Sequence, residues 1–370
     1  HHSPIPLASN ISKNNNYCLF FPLVGLFASI LLVQYANSIE VSQHLLHEII
    51  EDVISIVFSI PTFNKITCSD VNSTRLRYYL YTPNNQINAT RLNPEGQDND
   101  LTNFDPSLET KFVTHGWLGE VNESWPEDIK NAYLKTGNYN IILLDWTAYS
   151  THRYSRSACF VPKIANATAR LLVQLKKDAN LDLNKTHLIG HSLGGQMAGI
   201  TGQFIQNLTS GEKVKRVTGL DAAGPLFCYP RVDHKDERIT ADDAQFVDGI
   251  HSNDGEFGCN IDYAQSNFYP NCGRSQSGCT KVDVSLLNIT GSFNEFFSKI
   301  SCSHGRSHQY WLESISKNDF SSRSCSSCLF FQGNLCSANS DDNVMGEYTS
   351  FSKDGEYFLK TNTEAPFGLL

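Results

Sequence analysis

One pentapeptide near the middle of the chain constrains the fold more than any other feature. Gly190-His191-Ser192-Leu193-Gly194 follows the short apolar run 186–189 and precedes a segment whose apolar residues recur at helical spacing. A serine between glycines at a strand-to-helix turn forms a nucleophile elbow, because a side chain at either glycine would collide with the strand or the helix. The pattern therefore predicts a reactive Ser192 on an α/β fold. The motif alone is a weak signal, so the prediction depends on partners elsewhere in the chain.

Strand-like and helix-like segments alternate along most of the chain. Predicted strands cover 75–82, 111–114, 141–144, 186–189, 214–220 and 246–250, and predicted helices cover 128–135, 164–177 and 197–208. Strands that alternate with helices predict a mostly parallel, doubly wound sheet, whose ligands bind at the carboxyl ends of the strands. No linker rich in Pro, Gly or Ser divides 68–370, which predicts one catalytic domain there.

Residues 1–38 have the pattern of a secretory signal peptide. Lys13 precedes the apolar run 17–33, and the small residues 36–38 suit cleavage after Ser38. A retained membrane anchor is the alternative, because the apolar run is slightly long for a signal peptide and slightly short for a span. Residues 39–67 contain an amphipathic helix that ends before Pro61, which predicts a prosegment or a helix packed on the domain.

Cysteine and sequon usage favours a secreted glycoprotein. Of the 11 cysteines, all but Cys18 follow residue 38, which leaves an even number for disulfides. Asn-x-Ser/Thr sequons after that point are Asn72, Asn88, Asn122, Asn166, Asn184, Asn207 and Asn288. The net charge is −9 and no run of five Lys or Arg occurs, so nucleic acid is not an expected partner.

Two residues later in the chain complete a catalytic constellation with Ser192. A serine hydroxyl needs a histidine to take its proton and a carboxylate to orient that histidine. Asp221 directly follows the predicted strand 214–220 and would lie at its carboxyl end, although aspartates there also serve turns. His304 comes later, so the order Ser, Asp, His matches an α/β-hydrolase. His251 follows Asp221 too closely for that role and is expected to support the pocket.

An oxyanion hole requires two backbone N–H groups that point at the oxygen that becomes negative. Leu193, the residue after the nucleophile, supplies one of them. The loop after the predicted strand 111–114 would supply the other through Trp117, since Gly116 lets the backbone turn there. An ordinary turn at His115 and Gly116 is the alternative.

These motifs, in this order, resemble the animal pancreatic-lipase-type family, which includes insect secreted lipases and wasp-venom phospholipases A1. The resemblance runs from about Arg75 to the C-terminus and implies an α/β-hydrolase fold. It also implies a triad of Ser192, Asp221 and His304 and oxyanion donors at Trp117 and Leu193. The matching motifs are Thr114-His115-Gly116-Trp117, 140–146, 190–194, Gly219-Leu220-Asp221, 243–248, 268–271 and Cys302-Ser303-His304-Gly305-Arg306-Ser307.

Departures from the family pattern bear on cofactors and partners. Arg238 and Asp243 of the family's calcium loop remain, but Lys235 and Thr240 occupy two acidic ligand positions. Calcium needs several oxygen ligands, so we expect neither calcium nor another cofactor. The length of the chain also leads us to expect no C-terminal β-sandwich and therefore no colipase partner.

The segment between Cys279 and Cys302 occupies the position of the family's lid. Its apolar residues would cover the site in water and face lipid at an interface, and a packed surface helix is the alternative. In the family, long lids accompany acylglycerol lipases and short lids accompany phospholipases A1. We therefore expect a secreted ester hydrolase that acts on acylglycerol lipids at an interface. The alternatives are a phospholipase A1 with the same triad and a non-catalytic lipid-binding or storage protein.

The resemblance also implies disulfide pairs. They are Cys279–Cys302 around the lid, Cys68–Cys159 and Cys328–Cys336. Spacing alone does not assign the remaining four cysteines, Cys228, Cys259, Cys272 and Cys325.

Overall fold

An eleven-stranded sheet organises the part of the chain that this computed structural model describes. The described residues are 68–95, 98–119, 124–229, 235–279, 292–337 and 341–369, with the backbone alone for 292–301. The expected signal peptide (1–38) and amphipathic helix (39–67) lie outside them. Within these ranges, no helix combines the length and the apolar character needed to cross a bilayer.

Seven central strands of the sheet run parallel, as the alternation of elements predicted. The spatial order is β10-β9-β11-β8-β7-β6-β5-β3-β4-β1-β2, and the strands from β11 to β4 in that order are mutually parallel. The strands are β1 (Arg77–Tyr81), β2 (Thr90–Leu92), β3 (Glu109–Thr114), β4 (Tyr139–Asp145), β5 (Thr186–His191), β6 (Arg216–Leu220), β7 (Phe246–Ile250), β8 (Ser266–Pro270), β9 (Ser321–Ser324), β10 (Asn343–Val344) and β11 (Gly355–Leu359). This is the α/β-hydrolase fold expected from the sequence.

Helices cover both faces of the sheet. The described helices are α1 (Ser124–Thr136), α2 (Thr147–Ser150), α3 (Tyr154–Ala179), α4 (Leu193–Leu208), α5 (Ser292–Ser316) and α6 (Cys328–Gln332). Successive side chains of a strand point to opposite faces, so Ile142 and Leu144 of β4 pack in the core with α3 and α4. Ile141 and Leu143 pack in the second core with α1 and α5. Burial on both faces explains why the central strands are almost wholly apolar.

Helix α3 and strands β8 and β11 differ from the sequence expectation. Helix α3 begins ten residues before the predicted segment 164–177, because it accommodates Pro162, which ordinarily ends a helix. Strand β8 begins with Ser266 and Asn267, and polar residues of this kind disfavour a strand when read alone. It forms because β7 and β11 pair with it on either side.

Five disulfides join described cysteines, and one of the expected pairs is wrong. Cys68–Cys159 and Cys279–Cys302 are present as expected, together with Cys228–Cys259. The predicted Cys328–Cys336 pair does not form, since Cys328 pairs with Cys272 and Cys336 with Cys325. Helix α6 begins at Cys328, beside the loop that follows β8. A turn with Asn334 at φ 55° then reverses the chain and returns Cys336 to Cys325.

Candidate active site

Ser192 lies at a sharp turn between β5 and α4. Its backbone adopts φ 57° and ψ −124°, a strained conformation for a residue with a side chain. A Cβ at Gly190 would overlap the Gly194 carbonyl, and a Cβ at Gly194 would lie 2.5 Å from the His115 carbonyl oxygen. The two glycines are therefore required by the close approach of strand, helix and the β3 loop, and the turn has the form of a nucleophile elbow.

Backbone hydrogen bonds join this turn to the chain on both sides of Asp221. The Ser192 amide donates to the Leu220 carbonyl at 3.1 Å, and the Ala223 amide donates to the Ser192 carbonyl at 3.0 Å. Asp221 itself follows β6 with φ 47°. The serine and the aspartate are thus held at the carboxyl ends of adjacent parallel strands.

Asp221 binds the imidazole of His304. The Asp221 Oδ2 and His304 Nδ1 atoms are 2.5 Å apart, and the carboxylate is fully buried. Asp221 Oδ1 accepts hydrogen bonds from the amides of Ser252 at 2.8 Å and Asn253 at 3.0 Å. A carboxylate held at both oxygens fixes the tautomer and the orientation of the imidazole, which leaves Nε2 as the free nitrogen of the ring.

Helix α5 carries His304 and is fastened to the elbow. The His304 carbonyl oxygen accepts hydrogen bonds from His191 Nε2 at 3.2 Å, Ser252 Oγ at 3.3 Å and Ser307 Oγ at 3.0 Å. The His191 and His304 rings also lie 4.5 Å apart between centroids. Among the described residues, the Ser192 hydroxyl makes no hydrogen bond, so Ser192 is joined to the pair through the backbone and its neighbour His191. Hydroxyl-to-imidazole contacts of this kind often form only with substrate bound.

The loop after β3 lies directly against the serine. A Cβ on Gly116 would lie 2.6 Å from Ser192 Cβ and 3.2 Å from Ser192 Oγ, so only glycine fits there. The Trp117 ring is fixed by a hydrogen bond from Nε1 to the His152 carbonyl at 2.8 Å and by an edge contact with Tyr154. Within the described chain, neither the Trp117 nor the Leu193 amide donates to another group. The two amides predicted for the oxyanion hole are therefore both available.

His115 and His251 lie beside the site and join neighbouring strand ends through hydrogen bonds and ring stacking. His115 stacks on Trp146, accepts from the Trp146 amide at 3.3 Å and receives the Trp146 Nε1 hydrogen bond on its carbonyl at 2.9 Å. These contacts join the ends of β3 and β4. His251 bonds Asn267 at 3.0 Å and stacks on Tyr269, while its neighbour Ser252 contacts the Asp221–His304 pair.

Two further buried histidines beside His304, His191 and His308, were not predicted from the sequence to belong to the site. The His191 ring lies 5.1 Å from the His308 ring, which stacks on Trp125 at 4.8 Å. Burial lowers the pKa of His191 well below its usual range, and burial together with His304 lowers the pKa of His308 to about 3. Both rings are therefore neutral at neutral pH. The available signal was the four-residue spacing of His304 and His308, which places both on one face of a helix.

Both carboxylate oxygens of Asp243, which the resemblance places in the family's calcium loop, accept hydrogen bonds from protein groups. Its Oδ1 accepts from Gln203 Nε2 at 3.0 Å and from the Thr240 hydroxyl at 2.7 Å, and Oδ2 accepts from the Thr240 amide at 2.7 Å. Burial raises the pKa of this carboxyl to about 7. In the described part of the chain, no group of three or more His, Cys, Asp or Glu is placed to hold a metal ion. That the protein needs no cofactor stays a prediction.

Comparison with known proteins gives a family match over most of the chain. The model of the family described as Lipase matches residues 58–367. A pancreatic triacylglycerol lipase of Cavia porcellus is 30% identical over 75% of this chain and 60% of its own length. The inactive pancreatic lipase-related protein 1 of Homo sapiens is 30% identical over 79% of this chain and 64% of its own length. The chain thus spans less than two thirds of the length of these relatives.

Among solved structures, a thermophilic esterase from Thermogutta terrifontis matches with a TM-score of 0.31 and 15% identity over 50% of this chain and 69% of that chain.

Proposed function

The chain belongs to the lipase family, of the pancreatic-lipase type, and from that premise we propose that it is a secreted serine ester hydrolase acting on acylglycerol lipids. The observation that carries the proposal is the 2.5 Å contact between Asp221 and His304, made beside the strained turn of Ser192. A buried carboxylate on an imidazole next to an elbow serine is the arrangement that activates a hydroxyl for acyl transfer.

Each residue of the site has a role in the proposed reaction. Ser192 Oγ attacks the ester carbonyl, and His304 Nε2 takes the hydroxyl proton and passes it to the glycerol leaving group. Asp221 orients the imidazole and stabilises its protonated form. The amides of Trp117 and Leu193 donate to the oxyanion of the tetrahedral intermediate. Water, deprotonated by His304, then hydrolyses the acyl-enzyme and frees the fatty acid and Ser192.

The substrate class rests on two supports. One is the printed name of a relative, a pancreatic triacylglycerol lipase. The other is the length of the predicted lid between Cys279 and Cys302, which favours acylglycerols over phospholipids by the resemblance. The proposed partner is a lipid surface, with no cofactor and no colipase. Residues 280–291 of the predicted lid lie outside the described chain, and the backbone of 292–301 is the first part of α5.

An extracellular location is supported by the disulfides and by the sequons. Five disulfides are characteristic of proteins that fold in an oxidising compartment. The sequon asparagines Asn72, Asn88, Asn184 and Asn207 are exposed and can carry glycans.

The direct test is Ser192→Ala in the purified protein with a short-chain nitrophenyl ester. Removal of the nucleophile should abolish hydrolysis, whereas unchanged turnover would refute the assignment. Ser210→Ala is a matched control, because Ser210 also has a positive φ, of 58°, and follows the end of α4 outside the site. The control should hydrolyse the ester at the wild-type rate.

The alternatives give different outcomes in a lipid assay. Fatty-acid release from triolein should exceed release from phosphatidylcholine, and a strong preference for phosphatidylcholine would mean a phospholipase A1 instead. A protein that binds triolein emulsions but releases no fatty acid from either lipid would be a non-catalytic lipid-binding member. The last outcome is a real alternative, because two of the similar relatives are named inactive.

A further inference from the structure

We propose that Ser252 is a positioning residue for the Asp221–His304 pair and that Gln276 holds Ser252 in place. The inference rests on the proposed function, since it assigns these two residues to the same reaction. Neither residue belongs to the catalytic motifs, and neither touches the atoms that react.

Ser252 hydrogen-bonds both members of the pair. Its amide donates to Asp221 Oδ1 at 2.8 Å, and its hydroxyl donates to the His304 carbonyl at 3.3 Å. No other residue of the described chain makes hydrogen bonds to both. Asp221 follows β6 and His304 lies on α5, so Ser252, two residues beyond the end of β7, is a bridge between separate elements. The residue is fully buried, with 0% exposure, and water cannot replace its hydroxyl without a change in packing.

Gln276 fixes the backbone of Ser252. Its side chain is 2% exposed, and its Nε2 donates to the carbonyls of Ser252 and Pro270, each at 2.9 Å. Its Oε1 accepts from Asn271 Nδ2 and from the Tyr310 hydroxyl, each at 3.0 Å. These four bonds exhaust the capacity of an amide side chain, so one orientation of Gln276 satisfies every atom. Through Tyr310 the same side chain is also bonded to α5, the helix of His304.

The network also reaches the base of the predicted lid. The Gln276 amide donates to Ser303 Oγ at 3.1 Å, and the disulfide Cys279–Cys302 joins the chain just beyond both residues. The segment that follows Gln276 and helix α5, which carries His304, are therefore joined at two successive points, first by the Gln276–Ser303 hydrogen bond and then by the Cys279–Cys302 disulfide. Ser252 links this fixed segment to the backbone of His304 and to Asp221, the carboxylate that binds the imidazole.

Small displacements at this point have a large kinetic effect. His304 must keep Nδ1 on Asp221 while Nε2 reaches the Ser192 hydroxyl, and a misplacement of about 1 Å in such a geometry costs roughly 100-fold in rate. Ser252→Ala removes one of the three side-chain donors to the His304 carbonyl, the one that joins it to the loop after β7, but it leaves the backbone amide on Asp221. It therefore changes the position of the imidazole without removing any catalytic group.

The kinetic test compares Ser252→Ala with Ser252→Thr on a nitrophenyl ester. We expect Ser252→Ala to lower kcat about 10-fold with KM little changed, since binding of the ester is not touched. Ser252→Thr restores the hydroxyl and should recover most of kcat. The matched control is Ser322→Ala, because Ser322 is also buried and also donates to a backbone carbonyl, Asn343 O at 2.7 Å, but lies on β9, next to the edge strand β10 and away from the site. It should leave kcat unchanged.

Gln276→Met tests the second half of the inference. Methionine keeps the approximate shape and loses the donors to Ser252 and Pro270, so kcat should fall as in Ser252→Ala. If Ser252 and Gln276 act through one network, the kcat of the double variant should be little lower than that of the slower single variant. If they act independently, the two reductions in kcat should multiply.

A spectroscopic readout separates failure of the inference from failure of the proposed function. The His304 Nδ1 proton, hydrogen-bonded to Asp221, should give a low-field proton NMR resonance that His304→Gln removes. Ser252→Ala should shift or broaden it and Ser322→Ala should not, whether or not the protein hydrolyses the ester. Wild-type kcat and an unmoved resonance in Ser252→Ala would overturn the inference while leaving Ser192 as the nucleophile. Loss of kcat in Ser322→Ala equal to that in Ser252→Ala would overturn it too.

Discussion

Three imidazoles meet at the site, and their surroundings give them different chemistry. His304 contacts a buried carboxylate through Nδ1, which orients the ring and leaves Nε2 free. In the described chain, His191 and His308 contact aromatic rings and other histidines and no carboxylate. Burial lowers the pKa of both, so they contribute packing and a hydrogen bond without adding positive charge. In the proposed reaction, the neighbours of each histidine, and not its residue type, determine which of the three acts as the base.

The low pKa of His308 makes a prediction about stability in acid. Its pKa is about 3 in the fold and about 6.5 in an unfolded chain, so the folded protein binds fewer protons between those values. Stability from this group is therefore present above about pH 6.5 and is lost as the pH falls towards about 3. His308→Phe keeps an aromatic ring on Trp125 and removes the titration. The melting temperature of the variant should fall less steeply than that of the wild type between about pH 6.5 and about pH 4.

The difference in melting temperature between the wild type and His308→Phe above about pH 7 is the reference, because His308 is neutral there in both the folded and the unfolded chain. The difference in melting temperature at about pH 4, measured relative to that reference, should be on the order of 5 °C, because the lowered pKa of His308 costs about 3 kcal/mol of stability at that pH. Equal slopes in acid would mean that His308 is not buried in its neutral form.

Single residues were predicted from the sequence where a motif fixes their role. Ser192, Asp221 and His304 were identified by motif and by order, and the structure joins Asp221 to His304 as expected. Ser252 could not be found in this way, because a buried serine has no distinctive pattern. Its contact with Asp221 spans 31 positions and its contact with His304 spans 52. Such contacts depend on the order of strands in the sheet, which the sequence does not state.

At the scale of elements, the junction of β5 and α4 depends on close backbone approach. A Cβ on Gly194 would lie 2.5 Å from the His115 carbonyl oxygen and 2.6 Å from the Thr114 carbonyl oxygen. Backbone atoms cannot rotate away as a side chain can, so the helix or the β3 loop would have to move. The elbow and the loop that carries Trp117 would then separate.

Gly194→Ala should therefore lower both stability and turnover. Overpacking of this kind typically costs about 1–3 kcal/mol in the free energy of unfolding, and kcat should fall with it because the Trp117 loop is displaced. Thermal unfolding followed by circular dichroism measures the first effect. The control is Gly333→Ala, since Gly333 has a right-handed helical backbone and its nearest neighbour, the Leu329 carbonyl oxygen, would lie 3.3 Å from the new Cβ. A Gly194→Ala protein as stable as this control would contradict the account of the elbow.

Most elements of the central sheet were predictable, and the later ones were not. Strands β3 to β7 are apolar runs bounded by turns, so periodicity and composition were sufficient to locate them. Strand β8 begins with two polar residues and β11 begins with Gly355 and Glu356, so each has only a short apolar run, and the two are stabilised by parallel pairing with each other. The disulfide pairing near α6 was wrong for a related reason. It depends on a chain reversal after the helix, which residue spacing does not reveal.

For the whole molecule, the order of strands assembles the site. Strands β7, β6, β5 and β3 are consecutive neighbours in the sheet and run parallel, so their carboxyl ends meet along one edge. Trp117, Ser192, Asp221 and Ser252 each follow one of these four strands. Residues separated by more than a hundred positions therefore share one site because of topology. Helix α5 adds His304 from the side, held by Ser252 and His191.

The central claim is that Ser192 is a nucleophile activated by His304, and covalent labelling tests it most directly. The protein is treated with a nitrophenyl alkylphosphonate, which transfers its phosphonyl group to an activated serine and resembles the tetrahedral intermediate. Peptide mass spectrometry then locates the adduct. We expect one adduct, on the peptide that contains Ser192, which is absent in Ser192→Ala and forms far more slowly in His304→Gln. An unlabelled Ser192 in protein that still hydrolyses esters, or an adduct on another serine, would contradict it.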